Sequence, residues 1–120
     1  MKKRAPVLLV DDDDVLRTAV ARLLRHTGLE VVEAHDGGEA LALLGAEGLR
    51  PGVIVTDLQM PRVGGAALVQ AVRSAPALDG VPIVLVSGGE MRDVGADRYL
   101  AKPYSPTDLL DTMDALARAG

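Results

Sequence analysis

Short runs rich in aliphatic residues recur along the chain, and each is followed by a stretch with helical periodicity. The runs are Val7–Val10, Glu30–Ala34, Val53–Thr56, Pro82–Val86 and Arg98–Ala101. The first, third and fourth are almost continuous Val, Ile and Leu, which suits strands buried on both faces of a parallel sheet. Strands alternating with helices make successive strand-helix units, so an α/β fold is expected. A length of 120 residues gives one domain with a real core and no second one.

The first helix is predicted from Asp14 to Thr27, with Leu16, Ala19, Val20, Leu23 and Leu24 on one face and Gly28 as a left-handed stop. A short one is predicted over Glu39–Leu44, and a third from Ala66 to Ser74 with Leu68, Val69 and Val72 inward and Ala75-Pro76 closing it. For the last, Ser105 caps, Pro106 takes the first helical position and Asp108 lies in the first turn. Leu109, Leu110, Met113 and Leu116 then face the sheet. The core must be aliphatic, because the only aromatic residues are Tyr99 and Tyr104.

Right-handed crossovers between parallel strands put helices on both faces and ligands at the carboxyl ends of the strands. The loops at those ends begin with Asp11-Asp12, His35-Asp36, Asp57, Ser87 and Lys102. Carboxylates following two buried strands converge, and several within a few ångströms repel one another unless a cation intervenes. An all-oxygen set of this kind suits Mg²⁺ or a similar hard ion. Lys102 adds an ammonium group on the same rim and Ser87 a hydroxyl. A carboxylate nucleophile, a metal, a lysine and a hydroxyl together suit phosphoryl transfer through an aspartyl phosphate.

Composition removes several other classes. The net charge of −4 does not indicate a phosphate-binding surface for nucleic acid. The absence of cysteine removes disulfides, thiolate zinc sites and cysteine nucleophiles, and a cytoplasmic location is the default expectation. The start Met1-Lys2-Lys3-Arg4 is basic, but the apolar run after it is too short for a signal peptide or a membrane span. A calcium loop of the helix-loop-helix kind fails, since Leu16 occupies its glycine position. Asp13 and Asp14 read as acids at the positive end of a helix, and His26 and His35 as surface residues.

In these pieces the chain resembles the receiver domain of two-component response regulators. The matching residues are Val7-Leu8-Leu9-Val10-Asp11-Asp12, Val15-Leu16-Arg17, Val53-Ile54-Val55-Thr56-Asp57 with Met60-Pro61 and Gly65, Val84-Leu85-Val86-Ser87, and Tyr99-Leu100-Ala101-Lys102-Pro103-Tyr104. The resemblance covers nearly the whole chain and implies one receiver domain over residues 1–120, doubly wound, with five parallel strands in the flavodoxin-like order 2-1-3-4-5. It also implies that Asp57 accepts a phosphoryl group from a histidine kinase or phosphotransfer protein. Asp12 and Asp57 would ligate Mg²⁺ with the carbonyl of Gln59, and Asp11 would hold a metal-bound water. Lys102 would pair with one phosphoryl oxygen and Ser87 with another, Tyr99 would be the aromatic switch, and the Lys102-Pro103 bond would be cis. The side chain of Gln59 is expected to influence the lifetime of the aspartyl phosphate.

The fourth crossover departs from the family. Only eleven residues, Ser87 to Asp97, join the fourth and fifth runs, where a crossover with its helix needs roughly 10–12 or more. Gly88, Gly89 and Gly95 confine any helix to about Glu90–Val94, so the fourth helix is expected to be shortened or missing. Its loss is expected to leave apolar surface near the fourth and fifth strands for a partner or a second copy of the chain. Gly64, where many receivers carry an aspartate, is expected only to loosen the loop after Met60-Pro61.

Two rival functions fit part of the pattern. Asp11-Asp12-Asp13-Asp14-Val15-Leu16 also fits the start of a haloacid-dehalogenase-type phosphatase, with Asp11 as nucleophile and Asp13 as general acid and base. That reading leaves Asp57 without a role. A receiver fold that binds partners without phosphorylation is the third reading, and the intact acidic set argues against it. A stand-alone regulator and the receiver piece of a longer protein are equally permitted.

Overall fold

The computed structural model describes residues 5–119, and the basic start Met1–Arg4 and Gly120 lie outside them. Five strands, β1 (Val7–Val10), β2 (Val31–Ala34), β3 (Val53–Asp57), β4 (Ile83–Ser87) and β5 (Arg98–Ala101), form one sheet in the order β2-β1-β3-β4-β5. All four neighbouring pairs are parallel, as the apolar runs require. The helices are α1 (Asp14–His26), α2 (Gly37–Leu44), α3 (Gly65–Ser74) and α4 (Pro106–Ala119), with a 3₁₀ turn at Pro76–Leu78. None is long and apolar enough to cross a membrane.

Local chemistry sets the helix ends. Asp13 Oδ1 accepts from the Leu16 N–H to cap α1, whose last carbonyls are met at the other end by Gly28 at φ +95°. The second helix begins two residues before the expected Glu39, because Asp36 caps it by accepting the Glu39 N–H at 2.7 Å. For α4, Ser105 Oγ accepts from Asp108 N–H and Asp108 Oδ2 accepts from Ser105 N–H, a reciprocal capping box. Gly64 caps α3 with no side-chain acceptor.

Each face of the sheet carries its own core. Val7, Leu9, Val55, Val84 and Val86 pack with Val20, Ala21 and Leu24 of α1 and Leu109 of α4. Leu8, Val10, Ile54, Ile83 and Leu85 pack on the other side with Ala40 and Leu44 of α2 and Leu68, Val69 and Val72 of α3. The expected inner faces of α3 and α4 are found, but that of α1 is rotated. Ala19 and Leu23 are exposed, and Val20, Ala21 and Leu24 are buried with Leu16 beside them. Arg17 takes the inward edge of α1, where its guanidinium finds the Asp11 carbonyl and Glu33.

No helix forms between β4 and β5, so the single turn allowed at Glu90–Val94 is absent. Glycine lowers helix propensity by about 1 kcal/mol per residue, and Gly95 sits at φ +92°, outside helical geometry. Side chains hold the segment instead. The Tyr99 hydroxyl accepts from the Val94 and Ala96 N–H groups and donates to Asp93 Oδ1 at 2.8 Å. Arg73 of α3 donates to the Gly95 and Val81 carbonyls and to Asp97 Oδ2, which also accepts the Ile83 N–H. Met91, Val94, Ala96 and Tyr99 pack on the α3 side of the sheet. The segment itself therefore covers part of the expected apolar surface beside β4 and β5. Among the described residues the large exposed hydrophobics are Val15 and Leu23, both on α1.

Candidate functional site

Parallel pairing brings the chemistry to one edge of the sheet. Val10 pairs with Thr56, Asp57 with Val86 and Ser87 with Ala101, so residues ending or following β1, β3, β4 and β5 share a rim. Asp11, directly after β1, is 5% exposed, Asp57, the last residue of β3, is 7% exposed, and Ser87, the last of β4, is buried. Lys102 follows β5, and its backbone N–H continues the ladder to the Ser87 carbonyl at 2.8 Å. The Lys102-Pro103 peptide is cis, as expected.

Lys102 Nζ donates to Asp57 Oδ2 at 2.9 Å and to Asp11 Oδ2 at 3.0 Å. The remaining oxygens are also used, since Asp11 Oδ1 accepts the Asp13 N–H at 2.9 Å and Asp57 Oδ1 the Gln59 N–H at 3.3 Å. Burial works against the Lys102 charge, but the hydrogen bonds and charges of Asp57 and Asp11 outweigh it, so its proton is held more tightly than in an ordinary lysine.

Asp11, Asp12 and Asp57 each offer a carboxylate oxygen, and these oxygens lie within 4.8 Å of one another. Asp12 is the exposed member and opens the cluster to solvent. Three carboxylates face one ammonium, so an excess of negative charge remains. Hard oxygen donors of this charge fit a small divalent cation such as Mg²⁺.

Close packing fixes the loop after Asp57. A Cβ on Gly65 would run into the Asp57 carbonyl and the Leu58 Cα, so the start of α3 is pressed against the end of β3 at a point only glycine can occupy. The Gly65 N–H returns to the Leu58 carbonyl at 2.9 Å. The side-chain amide of Gln59 leans toward Gly89, where an added Cβ would lie 3.3 Å from Nε2.

Not every expected residue joins the cluster. Ser87 Oγ accepts the Gly89 N–H at 3.2 Å rather than meeting Asp57. Tyr99 is engaged with Asp93, Val94 and Ala96. His35 lies with its ring nitrogens 3.2 Å from Asp36 and Glu39, and His26 is an exposed residue at the end of α1. Tyr104, assigned no role from residue pattern, feels the charges of this region. Burial pushes its phenol above the ordinary tyrosine range and the negative charge of Asp11 adds to the effect. Its position directly after Lys102-Pro103 was the available signal.

Residues 7–114 match the family model described as the response regulator receiver domain. The response regulator MprA of Mycobacterium avium is 37% identical over 119 residues, covering 93% of this chain and 50% of MprA. The chain thus spans about half the length of the curated relatives it matches. Among solved structures, the chemotaxis protein CheY4 of Vibrio cholerae superposes with a TM-score of 0.86 at 35% identity, covering 95% of this chain and 99% of that one. A putative response regulator from Chloroflexus aurantiacus gives a TM-score of 0.85 at 31% identity, covering 95% and 98%.

Proposed function

The chain belongs to the response regulator receiver domain family of two-component signalling, and from that premise we propose that Asp57 is its phosphoryl acceptor. The observation that carries this reading is the Lys102 ammonium held between Asp57 and Asp11 inside a cluster of three carboxylates. We read residues 1–120 as one receiver domain, cytoplasmic, and served by a histidine kinase or phosphotransfer protein.

In the proposed reaction an Asp57 carboxylate oxygen attacks the phosphorus of a phosphohistidine. The O–P bond forms, the P–N bond breaks, and the imidazole leaves with the electron pair and takes a proton from solvent. Lys102 already donates where the new acyl phosphate forms, so it meets a phosphoryl oxygen without first crossing the site. Its raised proton affinity keeps the ammonium charged throughout the neutral range. Asp12 and Asp57 with the Gln59 carbonyl would hold Mg²⁺, with Asp11 on a water of that ion. When bound, the ion neutralises charge on the transferring phosphoryl group.

Ser87 is the moving part. Its Oγ accepts from the Gly89 N–H, so when the O–H turns to donate to a phosphoryl oxygen the hydroxyl carries the first turn of the segment between β4 and β5 with it. Tyr99 holds the far end of that segment by its hydroxyl. The switched conformation is therefore displayed at residues 88–97, where other receivers carry a helix, and a partner that prefers one of the two states reads it. Met91, Val94 and Ala96 pack over part of the face beside β4 and β5 and are themselves partly exposed, so a partner or a second copy of the chain would meet this segment there. The Gln59 amide against Gly89 flanks the acyl phosphate and influences its survival against water.

The phosphatase reading with Asp11 as nucleophile is not favoured, because it leaves Asp57 in the carboxylate cluster without a role while the receiver match spans residues 7–114. Phosphorus NMR of the chain with acetyl phosphate tests the reading. An acyl-phosphate resonance that needs Mg²⁺ and is lost in Asp57→Asn supports it, and no resonance under any condition leaves a phosphorylation-independent interaction module.

A further inference from the structure

Arg17 belongs to the Val15-Leu16-Arg17 piece of the sequence, and the phosphoryl chemistry leaves it unused. Its side chain is 13% exposed and serves three acceptors. Nη1 donates to the Asp11 carbonyl and to Asp14 Oδ1, each at 2.7 Å, and Nε donates to Glu33 Oε1 at 3.1 Å. Glu33 on β2 is held in turn by Arg25, which donates to Glu33 Oε2 at 3.1 Å and to the Val31 carbonyl at 2.9 Å. A chain of charges thus runs along the α1–β2 edge and ends on the backbone of the acidic loop.

That end point matters because the Asp11 carbonyl lies in the rigid peptide plane joining Asp11 to Asp12, and the tilt of that plane sets where Asp12 leaves the chain. The other polar groups of Asp11 are already fixed. Its N–H donates to the Ala34 carbonyl, Oδ1 accepts from Asp13 and Oδ2 from Lys102. Arg17 fixes the remaining one. Asp12, by contrast, is the exposed carboxylate of the cluster. We propose, resting on the receiver reading with its divalent cation at Asp11, Asp12 and Asp57, that Arg17 is a positioning residue for that cation. Its guanidinium fork, anchored on Glu33, holds the Asp11–Asp12 peptide so that the Asp12 carboxylate is presented to the ion.

Charge and positioning predict opposite signs, which makes the role separable. Removing Arg17 deletes a positive charge near the cluster and leaves Asp14 and part of Glu33 uncompensated, which by charge alone tightens cation binding. Losing the outer support of a ligand weakens it, typically by roughly 10- to 100-fold.

The test is Mg²⁺ titration by isothermal calorimetry, with amide exchange at Asp12 and Asp13, on the wild-type chain, Arg17→Met, Arg17→Lys and Arg25→Met. Arg17→Met is expected to raise the Mg²⁺ Kd about tenfold and to speed exchange at Asp13. Arg17→Lys, which keeps the charge on a single donor nitrogen without the fork, falls between it and wild type. Arg25→Met breaks the same network on the far side of Glu33 and stays within about twofold of wild type, although it loses stability. Mg²⁺ binding by Arg17→Met as tight as or tighter than wild type overturns the proposal, and should that variant not fold, wild-type affinity in Arg17→Lys overturns it equally. A wild-type chain that binds no Mg²⁺ overturns the cation reading and this role together, a failure distinct from undiminished binding by the variants.

Discussion

Lys102 Nζ stands 2.9 Å from Asp57 Oδ2, forty-five residues away in sequence, and holds the Asp11 carboxylate with the same ammonium group. Removing it leaves two buried carboxylates facing each other without a counter-charge. Lys102→Met is therefore expected to lower stability by about 3 kcal/mol in the absence of divalent cation, the low end for a broken buried pair because the rim is open through Asp12. Mg²⁺ replaces the lost charge, so the deficit shrinks when it is added. Urea unfolding in EDTA and in Mg²⁺ checks both halves, and an equal loss in the two conditions contradicts the pairing.

The same contact has a pH signature. The proton affinity of Lys102 is raised in the folded chain, where burial opposes the charge but Asp57 and Asp11 outweigh it. Its stabilising contribution is fully present below the unfolded lysine value of about 10.4 and is lost as pH rises through the higher folded value. The stability gap between wild type and Lys102→Met should hold from neutral pH to about pH 10 and close above it. The Lys102 charge also acts on the Tyr104 phenol, so the comparison is made with Tyr104→Phe in both proteins. A gap that closes between neutral pH and about pH 10 contradicts the assignment.

Tyr99 replaces a helix with one hydroxyl. Tyr99→Phe removes the acceptor for the Val94 and Ala96 N–H groups and the donor to Asp93, so exchange of those two amides is expected to rise about tenfold while the β3 amides keep their protection. The Tyr99 hydroxyl and the Gly95 N–H hold the Asp93 carboxyl below its ordinary value. A lowered carboxyl stabilises above its unfolded value and loses that effect as pH falls through the folded one, so the segment should loosen in acid below about pH 4. Unchanged exchange in Tyr99→Phe would show that apolar packing alone holds the segment.

Gly65 is the packing test of the acceptor loop. In Gly65→Ala the new methyl group meets the Asp57 carbonyl and Leu58 Cα, neither of which can move aside as a flexible side chain could. The expected cost is about 1–3 kcal/mol, with Asp57 displaced from Lys102. A thermal melt and the amide shift of Gln59, whose N–H reports on Asp57 Oδ1, read the two effects. A variant as stable as wild type with an unshifted Gln59 contradicts the close approach.

The central strands and the rim residues were legible because buried parallel strands announce themselves by continuous Val, Ile and Leu and end where Asp57 and Ser87 stand, while the strand order came from the receiver resemblance. The inner face of α1 was not legible. Its aliphatic residues spread around most of the helix, and Arg17, a charged side chain, takes part of the inward edge for hydrogen bonds that periodicity does not register. The three glycines limited any helix in residues 88–97 but said nothing of the Tyr99 and Arg73 clamps that take its place. Ser87 is expected to meet a phosphoryl oxygen when its loop moves inward, and what residue identity does not determine is its resting contact, in which Oγ accepts the Gly89 N–H.

The acceptor role of Asp57 is tested most directly by intact mass after incubation with acetyl phosphate and Mg²⁺, with released phosphate followed in parallel, on wild type, Asp57→Asn and Asp11→Asn. A single phosphoryl adduct that requires Mg²⁺ and is absent from Asp57→Asn is expected. Fast multiple turnover that survives Asp57→Asn and is lost in Asp11→Asn would contradict it.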